Sequence, residues 1–304
     1  MSKAFGFKGY GGPEVQGFVD MPKPDPGHGE LLGAVRVAGV NPADWKLRAG
    51  NMREVFPLEL PAIFGYEVAG VIEAVGPDVE GVAVGDEVFG SVMGGGYAEY
   101  ALVSVQNVAR KPAEVSFTNA AALPVAAATA FDGLTQLGLG AGQTVLIVGV
   151  GGGVGVAAAQ IARNWGIRVV GTASPAKRAF VETLGVTHVA YGDGVAERIR
   201  AAAPDGVDGL FDLVGGDALR AVGSLVADPK RLVTAVDPGA AGEFDGHMIE
   251  RSRDARVLEA VAGLAASGAL NPFVTAVFPL DQAAEALSAV ESGHAQGKIV
   301  LQVS

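Results

Sequence analysis

Residues 143–165, QTVLIVGVGGGVGVAAAQIARNW, decide how this chain is read. Thr144–Val148 is short, apolar and rich in β-branched side chains, which suits a buried strand. Residues 149–155 are a glycine-rich turn. Beyond it, Ala158, Ile161, Ala162 and Trp165 recur at the i, i+3, i+4 and i+7 positions of a helix. Strand, glycine turn and helix together present a helix N-terminus to a pyrophosphate, because free N–H groups and the helix dipole attract the anion. Glycine lets the backbone approach where a Cβ would collide.

The spacing is Gly149-x-x-Gly152-x-x-Gly155, with Gly151 and Gly153 in addition, and it is not GxGxxG. On the motif alone, the turn either cradles a phosphate with Gly149, Gly152, Gly153, Val154 and Gly155 or is a tight connection without a ligand. The next strand, residues 167–173, bears on the choice. An acid at its end would accept from a ribose 2′-hydroxyl. This chain has Ser174, Lys177 and Arg178 there, and no acid before Glu182. A hydroxyl and two cations suit a 2′-phosphate. The expected cofactor is therefore NADP(H). Ser174 also reads as an N-cap with Pro175 at the first helical position. Cations in a first helical turn oppose the macrodipole, which favours an anion nearby.

The 304 residues are 49% hydrophobic and 18% charged, enough for two domains with sizeable cores. The net charge of −11 argues against nucleic acid or an anionic membrane as partner. The chain has no cysteine, so disulfides, thiolate catalysis and cysteine zinc sites are excluded. His28, His188, His247 and His294 are far apart, with no H-x-x-x-H pair, and no metal is expected. MSKAFGFKGYGG lacks a signal-peptide apolar region. No unbroken apolar run reaches the ~18 residues of a membrane span. A soluble, cytoplasmic protein is expected.

Before residue 117 short β-rich runs alternate with glycine and proline turns: Glu30–Val40, then residues 64–75, 86–91 and 97–103. That pattern predicts a compact β-barrel-like domain. Residues 118–137 are alanine-rich and broken at Pro124. Strands and helices then alternate, with strands at 145–148, 168–172, 188–191, 208–214 and 232–236, which predicts a doubly wound parallel sheet. A helix over 255–267, a strand over 273–278, a helix over 282–291 and a strand over 298–303 complete the reading.

The assembled stretches resemble the medium-chain dehydrogenase/reductase superfamily, most of all its zinc-free quinone oxidoreductase (zeta-crystallin-like) branch. They are YGGPEV (10–15), AGVNPADWKLRAG (38–50), GYEVAGVIEAVG (65–76), VGDEVFG (84–90), GGYAEY (95–100), AALPVAAATAFDGL (121–134), VLIVGVGGGVGVAAAQIA (145–162) and GKIVL (297–301). The resemblance implies an α/β chain: a GroES-like β-barrel catalytic domain over 1–116, to which 270–304 returns, and a Rossmann NADP(H)-binding domain over 117–269. It implies NADPH-dependent reduction of a quinone or an α,β-unsaturated carbonyl, and a homodimer or tetramer. The edge over 244–249 is where two copies would pair. Two other readings stay open: a trans-2-enoyl-thioester reductase, and a low-turnover NADPH-binding sensor or structural protein.

Zinc-dependent relatives carry a cysteine near position 41 and a histidine near 66, where this chain has Asn41 and Tyr66. With no metal, hydrogen-bond donors must stabilise the developing oxyanion. Tyr66 and Asn41 are the catalytic candidates, Tyr66 as proton donor and Asn41 as a substrate or nicotinamide contact. The resemblance further implies cofactor contacts at Lys46 and Thr129, and a weaker one at Tyr191, whose neighbours are shifted from the usual pattern. Val214 and Ala235 lie at the carboxyl ends of expected parallel strands, where open sheets bind ligands. Lys298 is a further candidate for the cofactor. Gln296 stands where relatives commonly carry arginine.

Overall fold

The structure is a computed structural model and describes residues 2–54, 56–293 and 295–303. His294, one of the four histidines above, lies outside the described residues. Two compact units divide the chain. The first is Met1–Val125, Arg253–Ala266 and Val274–Ser304; the second is Ala126–Ser252 and Ser267–Phe273.

The first unit begins with β1 (Ser2–Phe7), β2 (Gln16–Met21), β3 (Glu30–Val40), α1 (Pro42–Arg48), β4 (Ala62–Ile63), β5 (Glu67–Val75), β6 (Glu87–Ser91), β7 (Tyr100–Ser104), β8 (Val108–Arg110) and α2 (Phe117–Ala120). The second contains α3 (Ala128–Leu137), β9 (Thr144–Val148), α4 (Gly153–Asn164), β10 (Arg168–Ala173), α5 (Arg178–Thr183), β11 (Val186–Ala190), α6 (Val195–Ala202), β12 (Gly209–Asp212), α7 (Gly216–Arg220), β13 (Leu232–Thr234), α8 (Pro238–Gly242) and β14 (His247–Met248). The chain then returns to the first unit as α9 (Ala255–Ala266), β15 (Val274–Pro279), α10 (Ala283–Glu291) and β16 (Lys298–Gln302).

In the first unit, β3 is the organising strand. It pairs antiparallel with β5, β7 and β16, and the sheet runs β15-β16-β3-β5-β6-β8. A second sheet, β2-β1-β4, brings Phe5 and Phe7 against Phe64, which also meets Tyr97. These rings, with Leu31, Ile72 and Leu287, make the core of the unit. Strand β5 begins at Glu67 and not at Phe64, because Gly65 has φ +95° and a Cβ there would lie 2.5 Å from the Tyr97 ring. Only glycine tolerates that backbone so close to a ring.

The second unit is a parallel sheet in the order β11-β10-β9-β12-β13-β14. Strand order reverses between β9 and β12, the switch point outside which open sheets bind ligands. Every residue of β9 is buried, which explains its unbroken apolar run. The expected long stretch over 118–137 divides into α2, a wide π-type turn at Leu123–Ala127 that absorbs Pro124, and α3. Three segments group differently from the sequence reading, one of them residues 270–273, which lie in the second unit. Helix α9 belongs to the first unit, where it packs on β8, and residues 117–125 belong there too. An apolar helix face shows in sequence; the sheet it covers does not. Among the described residues, no helix is long and apolar enough to cross a membrane.

Candidate functional site

The glycine turn in the second unit is built by backbone bonds from the neighbouring strand. The N–H of Gly149 donates to Thr172 Oγ1 at 3.1 Å, and the N–H of Val150 to the Thr172 carbonyl at 3.0 Å. Gly149 takes φ +88°. Gly152 is the N-cap of α4 and has no side chain to satisfy the first N–H groups of the helix, at Gly153, Val154 and Gly155. A Cβ on Gly155 would stand 2.5 Å from Val150 Cα and 2.6 Å from the Gly149 carbonyl oxygen, so glycine alone lets the helix pack this close to the turn. A Cβ on Gly149 would meet Val214 at 2.7 Å, and one on Gly151 would meet Lys177 at 2.7 Å. Bare N–H groups, a positive helix end and missing Cβ atoms suit the phosphates of a dinucleotide.

The side chains around the turn divide into two groups. Lys177 lies on it, with Nζ 3.2 Å from the Gly151 carbonyl, and burial pulls its pKa down. Arg178 pairs with Glu182 at 2.8 Å on the exposed face of α5. Ser174 occupies the expected N-cap position, but its side chain caps nothing. Tyr191 is 62% exposed in the loop after β11. Arg198 holds that loop by donating to the carbonyls of Ala190, Gly192 and Asp193. Val214 is 55% exposed at the end of β12. Ala235 follows β13, and its N–H donates to the Asp212 carbonyl at 2.9 Å. Thr129 is buried, and Arg251, itself held by Asp132 at 3.0 Å, donates to its hydroxyl.

A second cluster lies in the first unit. Glu67 is fully buried on β5. One carboxylate oxygen accepts from Lys298 Nζ at 2.6 Å and Asn41 Nδ2 at 2.8 Å; the other accepts from the Val125 N–H at 2.7 Å. Gly39 makes the space, since a Cβ there would lie 2.1 Å from the Glu67 carboxylate. Lys298 also donates to Asn41 Oδ1 at 2.6 Å and to the Val40 carbonyl at 3.2 Å. An ammonium has three protons, and all three are spent. Lys298, a cofactor candidate in the sequence, is thus a buried partner of Glu67. Asn41 is likewise buried, its Nδ2 donating to Glu67 and its Oδ1 accepting from Lys298, so it holds the cluster together.

Asp44 extends this cluster. Its Oδ2 accepts from the Asn41 N–H and the Tyr97 hydroxyl, each at 2.8 Å. Its Oδ1 is buried and has no hydrogen-bond partner among the described residues. Burial pushes the carboxyl up to about 7, against the hydrogen bonds and Lys298, which lower it. Tyr66 is half-buried, and its hydroxyl has no hydrogen-bond partner among the described residues. Burial, with the charges of Asp44 and Tyr10, pushes its phenol up to about 12. Lys46 lies on the same helix α1, its ammonium 5.9 Å from the Trp45 ring centroid.

Sequence reasoning missed Glu67, Asp44, Tyr97, Arg251 and Asp212. Two of them had a signal: an acid inside an apolar strand, as in YEVAG and LFDLV, must have a buried partner. Arg251 had none. No group of three or more metal-ligating side chains occurs among the described residues.

Residues 27–113 match the alcohol dehydrogenase GroES-like domain model, and residues 184–301 match the zinc-binding dehydrogenase model. The quinone oxidoreductase of Sus scrofa is 32% identical over 96% of this chain and 95% of its own length. The NADPH-dependent alkenal/one oxidoreductase of Arabidopsis thaliana is 32% identical over 98% of this chain and 79% of its own length. The solved quinone oxidoreductase of Coxiella burnetii superposes with a TM-score of 0.90 at 30% identity, covering 100% of this chain and 99% of that one. The chain belongs to the medium-chain dehydrogenase/reductase superfamily, whose members work with a nicotinamide cofactor. Within it the chain is an oxidoreductase of the zinc-free branch that holds these quinone and alkenal/one oxidoreductases.

Proposed function

We propose that this protein is an NADPH-dependent reductase of quinones or α,β-unsaturated carbonyls that uses no metal and takes Tyr66 as its proton donor. The observation that carries the cofactor reading is Lys177 lying on Gly151, with no carboxylate at the end of β10. An acid there would repel a 2′-phosphate; an ammonium attracts it. The bound dinucleotide supplies hydride from its nicotinamide. The chain supplies the rest. The first turn of α4 and Gly149 take the pyrophosphate, and Val214 and Ala235 border the crevice at the strand ends. The phenol of Tyr66, pushed up to about 12, keeps its proton throughout the neutral range. It can therefore donate to a carbonyl oxygen as negative charge grows there. The edge strand β14, both of whose residues are exposed, is the face on which a second copy would form the homodimer of this reading. A cytoplasmic place belongs to the same reading.

The test is the rate of NADPH oxidation against ortho- and para-quinones, a 2-alkenal and an enoyl thioester, with NADH in parallel. Turnover of quinone or alkenal with NADPH over NADH is expected. Lys177→Ala should abolish that preference and Arg178→Ala should leave most of it. Equal use of NADH by the unaltered protein, or turnover of the thioester alone, would overturn the reading.

A further inference from the structure

Asp212 ends β12 and is completely buried. Its Oδ1 accepts the N–H groups of Val214 at 3.1 Å and Gly215 at 3.0 Å, fixing the loop after β12. Its Oδ2 accepts the hydroxyl proton of Thr234, at the end of β13. Thr234 Oγ1 in turn accepts the N–H groups of Val236 and Asp237, each at 3.1 Å. Asp237 closes the circuit by accepting the Gly216 N–H at 2.9 Å. The two loops also press together, since a Cβ on Gly215 would lie 2.6 Å from Asp237 Cβ.

What the circuit holds is Val214. This exposed apolar side chain rests on Gly149, so that a Cβ on the glycine would meet it at 2.7 Å. Gly149 follows β9 and Val214 follows β12, the two strands between which the order reverses. An exposed valine fixed there by buried charge is part of a ligand surface and not of the core.

We propose that Asp212 is a positioning residue for the dinucleotide, acting through Thr234 to lock both loops into one frame and hold Val214 against Gly149. The proposal rests on the dinucleotide reading above. Direction of donation makes it testable. The two lone pairs of Thr234 Oγ1 are taken by N–H groups, so its proton can go only to an acceptor. In Asp212→Asn one amide oxygen still accepts from Val214 and Gly215, but the NH₂ meets the hydroxyl donor-to-donor. The loop after β12 keeps its shape and loses its tie to β13.

The experiment measures NADPH and NADH dissociation constants by nucleotide fluorescence, the acceptor KM, and the melting temperature of the apoprotein, for Asp212→Asn, Thr234→Val and Thr234→Ser. Losing one buried hydrogen bond to a charged group should weaken both dinucleotides by at least about tenfold and by the same factor. The acceptor KM should not change, and Thr234→Ser should bind as the unaltered protein does. A merely structural role lowers the melting temperature and leaves the dissociation constants in place, which would overturn the proposal. If Asp212→Asn does not fold, Thr234→Val removes the same bond together with the acceptor for Val236 and Asp237, Thr234→Ser keeps all three, and equal dissociation constants for the two would overturn the proposal. Failure of the unaltered protein to bind either dinucleotide would instead overturn the proposed function itself.

Discussion

Lys298 and Glu67 form a buried ion pair, Nζ to Oε1 at 2.6 Å, with 4% and 0% of their side chains exposed. Burying two charges costs solvation that only close geometry and further hydrogen bonds offset. Here the further bonds come from Asn41, Val40 and Val125. Lys298→Met leaves Glu67 charged and unpaired, so stability should fall by about 3–5 kcal/mol. Chemical denaturation measures this. Adding Glu67→Gln should restore much of the loss, because the uncompensated charge goes with it. The ratio of NADPH to NADH affinity should not move in either variant. A changed ratio would return Lys298 to the cofactor.

Tyr66→Phe removes the phenolic proton and keeps the ring. If Tyr66 donates in the reduction, turnover should fall about 10²–10⁴-fold, the usual worth of general acid catalysis. The NADPH dissociation constant should stay as it is. Single-turnover absorbance on premixed protein and NADPH separates the two. An unchanged rate constant would assign the proton to another source.

Asp44 predicts a pH dependence. Its carboxyl moves from 3.8 to about 7 in the fold, chiefly through burial. The folded value lies above the unfolded one, so between those pH values the native state holds a proton that the unfolded chain has lost. Stability from this group is complete at acid pH and declines as pH rises through that window. Asp44→Asn cannot titrate. The unfolding free energy of the unaltered protein, relative to Asp44→Asn, should therefore decrease from about pH 4 to pH 7 and level off above it. Urea titrations at stepped pH measure the difference. A flat difference would mean that Asp44 keeps its charge when buried.

Two glycines should respond in opposite ways to alanine. At Gly155 the new Cβ would meet backbone on both sides, at 2.5 and 2.6 Å, and backbone cannot step aside. Overpacking of this kind costs about 1–3 kcal/mol, and it should weaken NADPH binding in a titration. At Gly263, inside α9, a Cβ meets nothing within 4 Å. Gly263→Ala should stabilise the protein by about 0.5–1 kcal/mol. Thermal melts of both variants check the pair.

What the sequence makes legible is whatever local chemistry decides. The apolar run at β9, the glycine turn and the start of α4 follow from neighbouring residues alone, and Glu30–Val40 emerges as β3 with both its ends in place. The displaced features have distant causes. Lys298 read as a candidate for the cofactor because its acceptors, Val40, Asn41 and Glu67, are more than 200 positions away. Ser174 and Pro175 carry every local sign of a cap, but the backbone takes the turn without the hydroxyl. Lys177 and Arg178 are adjacent in sequence and part company because Glu182, one helical turn on, captures the arginine. Thr129 gained a partner, Arg251, that no spacing rule connects with it.

The returning strand β16 also sets an order of events. Glu67 and Lys298 are 231 positions apart, and Arg48, buried and bonded to Glu291, is 243 positions from its partner. A ribosome makes Glu67 and Arg48 long before either answering charge exists. Nearly all of the second unit, a continuous run from Ala126 to Ser252, is complete before then. It can fold during synthesis, while the first unit waits with an unanswered acid and an unanswered base until its last strand is made. A polypeptide that stops short of β16 is left with the Glu67 charge unpaired and the edge of β3 exposed, a row of backbone groups open to pairing with other chains.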